Sequence, residues 1–139
     1  MNITTIRTNI DTILSGVSGI RSHSPRDVDQ LGPTPATVVR NSRATKIEPS
    51  SRRITWLDVP FRLYVGRVSD EARNAKILDD LVEAIITAFE TVANSTLSGA
   101  CTLAYVREYA EAFYSVGGED YQAIDFILDV EVKTVTYSS

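Results

Sequence analysis

A change of hydrophobic period in the middle of the chain constrains the fold most. Between residues 57 and 65 apolar residues occupy every second position, the pattern of a half-buried strand. Pro60 lacks an amide donor, which favours an edge position or a bulge for it. Ser69 then offers a helix N-cap, and apolar residues from Ala72 to Val92 recur at spacings of three and four. We therefore predict a helix of roughly 30 Å that covers a sheet.

Weaker patterns place further elements on both sides of this unit. We predict a first amphipathic helix over residues 3–14. An irregular connection is expected over residues 20–35, and a short strand over residues 36–40. A third strand is expected around residues 101–105 and a fourth over 124–132. The order α-β-β-α-β-β predicts a single α+β domain, residues 1–139. We expect a four-stranded antiparallel or mixed sheet with two helices on one face.

Composition limits the chemistry that the chain can support. One cysteine (Cys101) and one histidine (His23) allow neither an intrachain disulfide nor a structural zinc site of four such ligands. The chain lacks a signal-peptide pattern and a run of about 18 apolar residues, so we expect neither export nor a membrane partner.

No residue pattern predicts an active site. His23 falls in a Ser/Pro/Asp-rich loop, where a solvated side chain is expected, and Cys101 is expected to be a buried, inert thiol. Glycine-rich phosphate-binding motifs are absent from the sequence. We therefore expect no catalytic residues, no cofactor and no bound metal.

Charge is distributed unevenly, although the net charge is only −4. Residues 40–53 hold five basic residues and one acidic residue, whereas the chain from Asp79 onward holds eleven acidic and two basic residues. Residues 41–52 lack sustained periodicity and are predicted to form a flexible hairpin arm. We expect this region to contact a protein partner, although an arm that touches nucleic-acid phosphates is the alternative. The predicted partner-binding residues are Arg40, Arg43, Lys46, Arg52, Arg53 and Trp56.

Three stretches, taken in order, resemble the tail terminator proteins of long-tailed, siphovirus-type phages. After a short N-terminal helix comes LGPTPATVV at 31–39. FRLYVGRVSD at 61–70 then leads into the long helix, and VGGEDYQA at 116–123 precedes the final strand. The resemblance covers most of the chain, and it rests on the order of the stretches rather than on a catalytic signature.

The resemblance implies a structural virion protein that is assembled in the host cytoplasm. Such a protein forms a hexameric ring, caps the tail tube, stops its elongation and joins the tail to a head-completion protein. DNA would pass through the ring without specific binding, and the acidic residues expected to face the channel are Asp125, Asp129 and Glu131. The alternatives are another head–tail connector, such as a stopper or a tail-completion protein, a small non-viral ligand-binding α+β domain, and a nucleic-acid-binding adaptor.

Overall fold

The computed structural model describes residues 2–48 and 52–135. Within these ranges the chain forms two α-helices and six strands, in the order α-β-β-β-β-α-β-β. They are α1 (Ile3–Ser15), β1 (Ser22–Ser24), β2 (Ala36–Val39), β3 (Arg43–Glu48), β4 (Arg52–Arg67), α2 (Glu71–Phe89), β5 (Leu103–Val116) and β6 (Glu119–Val135).

The α+β class is confirmed, but the predicted four-stranded sheet is wrong. In the described residues the sheet has six strands in the order β1-β2-β4-β6-β5, with β3 also paired to β4. β1 pairs in parallel with β2, and the other described pairs are antiparallel. The sequence pattern missed β1 and β3 because neither has a hydrophobic period of its own. Each is a strand only because it lies against a neighbour.

The centre of the sheet is formed by β4 and β6, with 16 and 17 residues. At about 3.3 Å per residue each spans roughly 50 Å, whereas the 19 residues of α2 span about 28 Å. The sheet therefore extends beyond its helices. At one end the β3–β4 hairpin projects, and at the other Gly117 and Gly118 turn the chain with positive φ angles of 59° and 82°.

Pro60 lies in a central strand, so the prediction of an edge or bulge position is wrong. One edge of β4 pairs with β6. The other edge pairs with β3 over residues 54–58 and with β2 over residues 61–64. The Pro60 carbonyl accepts the Arg40 amide at 2.8 Å. The Pro60 nitrogen faces the same side, opposite Arg40 and just past the end of β2, so the missing donor does not interrupt the ladder between β4 and β6.

Both helices pack on the same face of the sheet. α1 buries Ile6, Ile10 and Leu14, and α2 buries Leu81, Val82, Ile85 and Phe89 in the same cluster as the inward residues of β4 and β6. Phe61 stacks on Phe126 with ring centroids 4.8 Å apart, and Phe89 lies 5.7 Å from Phe61. These contacts join α2 to the two central strands.

The ends of α2 differ from the prediction. Ser69 lies in a 3-10 turn, Val68–Asp70, and Asp70 occupies the N-cap position without a side-chain cap. Asn74 instead donates to the Arg67 carbonyl at 2.9 Å, and a Cβ at Gly66 would lie 2.3 Å from the Asn74 Oδ1. A side chain at position 66 would therefore displace the contact that holds the entry to α2. At the other end the helix stops at Phe89, which leaves Val92 exposed.

A second apolar cluster lies on the sheet face opposite the helices. It contains Ala36, Val38, Tyr64, Tyr121 and Ala123, and Leu31 from the 25–35 connection packs against it. This end of the second face is therefore covered by the protein itself. Within the described residues no helix has both the length and the apolar character needed to cross a membrane.

Candidate functional site

The edge strand β5 concentrates exposed apolar side chains. It pairs with β6, and no described strand pairs with its other edge. Leu103, Tyr105, Tyr109 and Phe113 are 43%, 49%, 53% and 62% exposed. An unpaired strand with large apolar side chains is a template for association with another chain. We call the residues from Leu103 to Phe113 the β5 edge.

A bulge decides which side of the sheet these side chains occupy. The pairing with β6 shifts between Val106 and Glu108. Before the shift, Ala104 and Val106 face the helices, whereas after it Tyr109 and Phe113 do so. The Tyr109 ring lies 5.9 Å from Phe126. The bulge therefore places two exposed aromatic side chains, Tyr109 and Phe113, on the helix side of the sheet.

The sequence prediction found only the beginning of this strand. Cys101 precedes β5 and is half-buried, and burial raises the pKa of its thiol to about 11. At neutral pH the thiol is therefore protonated, as expected for an inert cysteine. Tyr109 and Phe113 were missed because the bulge breaks strict alternation. The aromatic spacing of Tyr105, Tyr109 and Phe113 was the available signal.

His23 also differs from its prediction as a solvated loop residue. It lies on β1, and its Nδ1 is 3.0 Å from Oδ2 of the buried Asp11 on α1. Its side chain is 47% exposed. The pair fastens β1 to the first helix, so a structural role accounts for the histidine.

The region predicted as an arm is a hairpin of β3 and the first part of β4. We call residues 43–48 and 52–56 the basic hairpin. Its turn, residues 49–51, lies outside the described residues, and its flexibility stays a prediction. β3 is exposed along its whole length and pairs with β4 from Arg43–Asp58 to Glu48–Ile54. Residues 43–48 thus project as an ordered strand.

The predicted partner-binding residues do not form one cluster. Arg40 pairs with Asp27 at 3.3 Å, away from the hairpin, and Arg43 lies 3.6 Å from Asp58. The Lys46 Nζ lies 5.0 Å from the centre of the half-buried Trp56 ring, within cation–π range. Arg53 is exposed, and the side chain of Arg52 lies outside the described residues.

The predicted channel residues share one face of β6 but carry compensated charges. Asp125 accepts from Arg62 Nε at 2.7 Å and from the Tyr114 hydroxyl. Asp129 accepts from the Tyr105 hydroxyl at 3.0 Å, and its Oδ2 lies 3.9 Å from Nη1 of Arg107. Glu131 lies 3.6 Å from the Lys133 ammonium. The acidic character expected for this face is therefore reduced by Arg62 on β4, Arg107 on β5 and Lys133 on β6 itself.

Two buried polar groups hold this network together. The Arg62 side chain is 9% exposed, its guanidinium lies 3.3 Å from the Tyr114 ring centre, and its Nη1 donates to the Tyr64 hydroxyl at 3.1 Å. Asp58 accepts from Arg107 at 2.7 and 3.2 Å. The hydrogen bond to Asp125, with burial, raises the pKa of Tyr114. Satisfied networks of this kind favour one sheet register.

The structure therefore presents three kinds of surface: an apolar strand edge, a basic hairpin, and a polar face whose charges are paired internally. Comparison with known proteins adds no identity, because neither a protein-family model nor a curated protein matches the chain.

Proposed function

We propose that this chain is a tail terminator: a structural protein that forms a ring on the end of a phage tail tube, stops its elongation and joins it to the head. The β5 edge carries the proposal. Large apolar side chains along an unpaired strand are typical of a surface that another chain covers in the functional assembly. The α+β fold is the fold that the resemblance implies.

Two different association surfaces favour a ring over a symmetric dimer. The β5 edge lies on one side of the sheet, and β3 lies on the other side of β4. A contact between unlike surfaces repeats head to tail, and it closes when the rotation per subunit divides a full turn. In such a ring the paired charges of Asp125 and Asp129 would leave a channel wall near neutrality, over which DNA slides.

The test is a tube-growth assay with the tail-tube protein of the same phage. We expect the wild-type protein to limit tube length, and the double variant Tyr109→Ser/Phe113→Ser to lose this effect because it removes the two most exposed aromatic side chains of the β5 edge. Val92→Ser is the matched control, since Val92 is 90% exposed and lies outside β5. Tube lengths are measured by negative-stain electron microscopy.

Two results would contradict the proposal. In the first, tubes grow to the same length with and without the wild-type protein, which removes the terminator function and favours another connector. In the second, the β5 double variant limits growth as well as wild type does, which removes the role of the β5 edge.

A further inference from the structure

A groove opens between the two helices on the face away from the sheet. Its volume is about 760 Å³, and short side chains line much of it. Its charged lining residues, within the described part of the chain, are Asp80 and Glu83. Both are exposed, and neither lies within 4.0 Å of a described basic group. Gly16, Ala84 and Ala88 are among the small residues that line the groove.

The groove is lined by residues of α1, of α2 and of the segments that follow each helix. Gly16, Ala84 and Ala88 keep the side-chain layer thin, so that an inserted group can approach both helix backbones. The volume falls within the range of pockets that hold a drug-sized ligand, so a few side chains of a partner fit into it. The acidic residues Asp80 and Glu83 select an occupant with positive charge.

The basic hairpin has the matching chemistry. Ile47 is 56% exposed, and its pairing with Thr55 places it on the same sheet face as Arg53. Lys46 adds a second exposed cation, on the other face. On the face that carries Ile47, the hairpin therefore offers an exposed apolar side chain together with the guanidinium of Arg53, which complements a groove with small side chains and two carboxylates.

A chain cannot fill its own groove with its own hairpin. Cross-strand pairs from Arg43–Asp58 to Glu48–Ile54 hold β3 in the sheet, whereas the groove lies in the helix layer. We propose that the groove between α1 and α2 receives the basic hairpin of a second copy of this chain. This inference rests on the proposed ring and names one of its subunit contacts. Hairpin and groove are unlike surfaces, as a closed ring requires.

Complementary charge reversals test the contact. The first variant, Lys46→Glu/Arg53→Glu, has an acidic hairpin. The second, Asp80→Lys/Glu83→Lys, has a basic groove. Each alone brings like charges together, so we expect self-association at least about tenfold weaker than that of wild type. Mixed in equal amounts, the two variants restore opposite charges at every contact and assemble together. Analytical ultracentrifugation measures all three samples.

The control is Asp79→Lys/Glu90→Lys, which makes the same charge change at exposed positions of α2 and its C-cap, outside the groove. We expect this variant to associate as wild type does. Circular dichroism checks that each variant folds. If the groove variant Asp80→Lys/Glu83→Lys does not fold, Asp80→Asn/Glu83→Gln is used in its place.

The outcomes separate this inference from the proposed function. If the groove variant associates as well as wild type, or if the mixture stays as weak as its components, the hairpin does not occupy the groove, while the ring stands. Binding of the tail-tube protein in the groove would also overturn the inference. If wild type itself does not associate, the proposed function fails and the contact fails with it.

Discussion

At the scale of single residues, the charges on the face opposite the helices matter most. The sequence placed Asp125, Asp129 and Glu131 on one face of a strand, and the structure confirms that shared face. The sequence alone could not show the partners of these carboxylates. Arg62 and Tyr114 lie on other strands, and the register of the sheet brings them to Asp125. Local patterns reveal the direction of a side chain, whereas its ion pairs depend on long-range pairing.

The Arg62–Asp125 pair leads to an asymmetric prediction. Asp125→Ala leaves a guanidinium that is 9% exposed without its carboxylate, so we expect the free energy of unfolding to fall by about 3 kcal/mol. Arg62→Met keeps the packing and leaves Asp125, whose side chain is 34% exposed and can be hydrated, so we expect a loss of about 1 kcal/mol. Urea denaturation measures both losses.

The control for this pair is Asp27→Ala, which breaks the exposed contact between Arg40 and Asp27. We expect a loss below about 0.5 kcal/mol, as for ion pairs at the surface. Equal losses for Asp125→Ala and Arg62→Met would show that burial of the guanidinium does not determine the energetics of the network.

At the scale of elements, sequence patterns succeeded where one element carries its own period. The alternation of 57–65 and 124–132 predicted parts of β4 and β6, and the apolar stripe predicted the core of α2. The strands β1 and β3 were not predicted, because they form by pairing with β2 and β4 and have no hydrophobic period of their own. β5 was located but its length was not, since the bulge after Val106 changes which residues face the helices. The position of Tyr109 and Phe113 on the helix side therefore depends on this shift in strand register.

The role of β5 predicts a change in hydrogen exchange on assembly. About half of the amides of an edge strand point away from their partner strand and exchange readily in the free chain. If the β5 edge is covered in the ring, we expect slower exchange across residues 103–113 in the assembled protein than in the dilute protein. Mass spectrometry of peptic fragments measures the difference.

The central strand β6 is the internal reference for this experiment, because it is paired on both sides already. Its exchange should be slow in both states. An assembly that forms without any added protection of residues 103–113 would exclude the β5 edge from the subunit contact.

At the scale of the whole molecule, the sheet is longer than its helices and has unlike edges. The β5 edge lies on one side and the exposed β3 on the other, while the groove between α1 and α2 opens on the helix layer. The basic hairpin and the groove with its two carboxylates would each repel a second copy of itself. The architecture therefore favours head-to-tail association, which yields closed rings or open filaments.

The most direct test of this account is the mass of the purified protein, measured by light scattering after gel filtration over a wide range of concentrations. A hexameric ring predicts one closed species with about six times the chain mass of 15.3 kDa, visible as a ring by electron microscopy. A mass of a single chain at every concentration would contradict it.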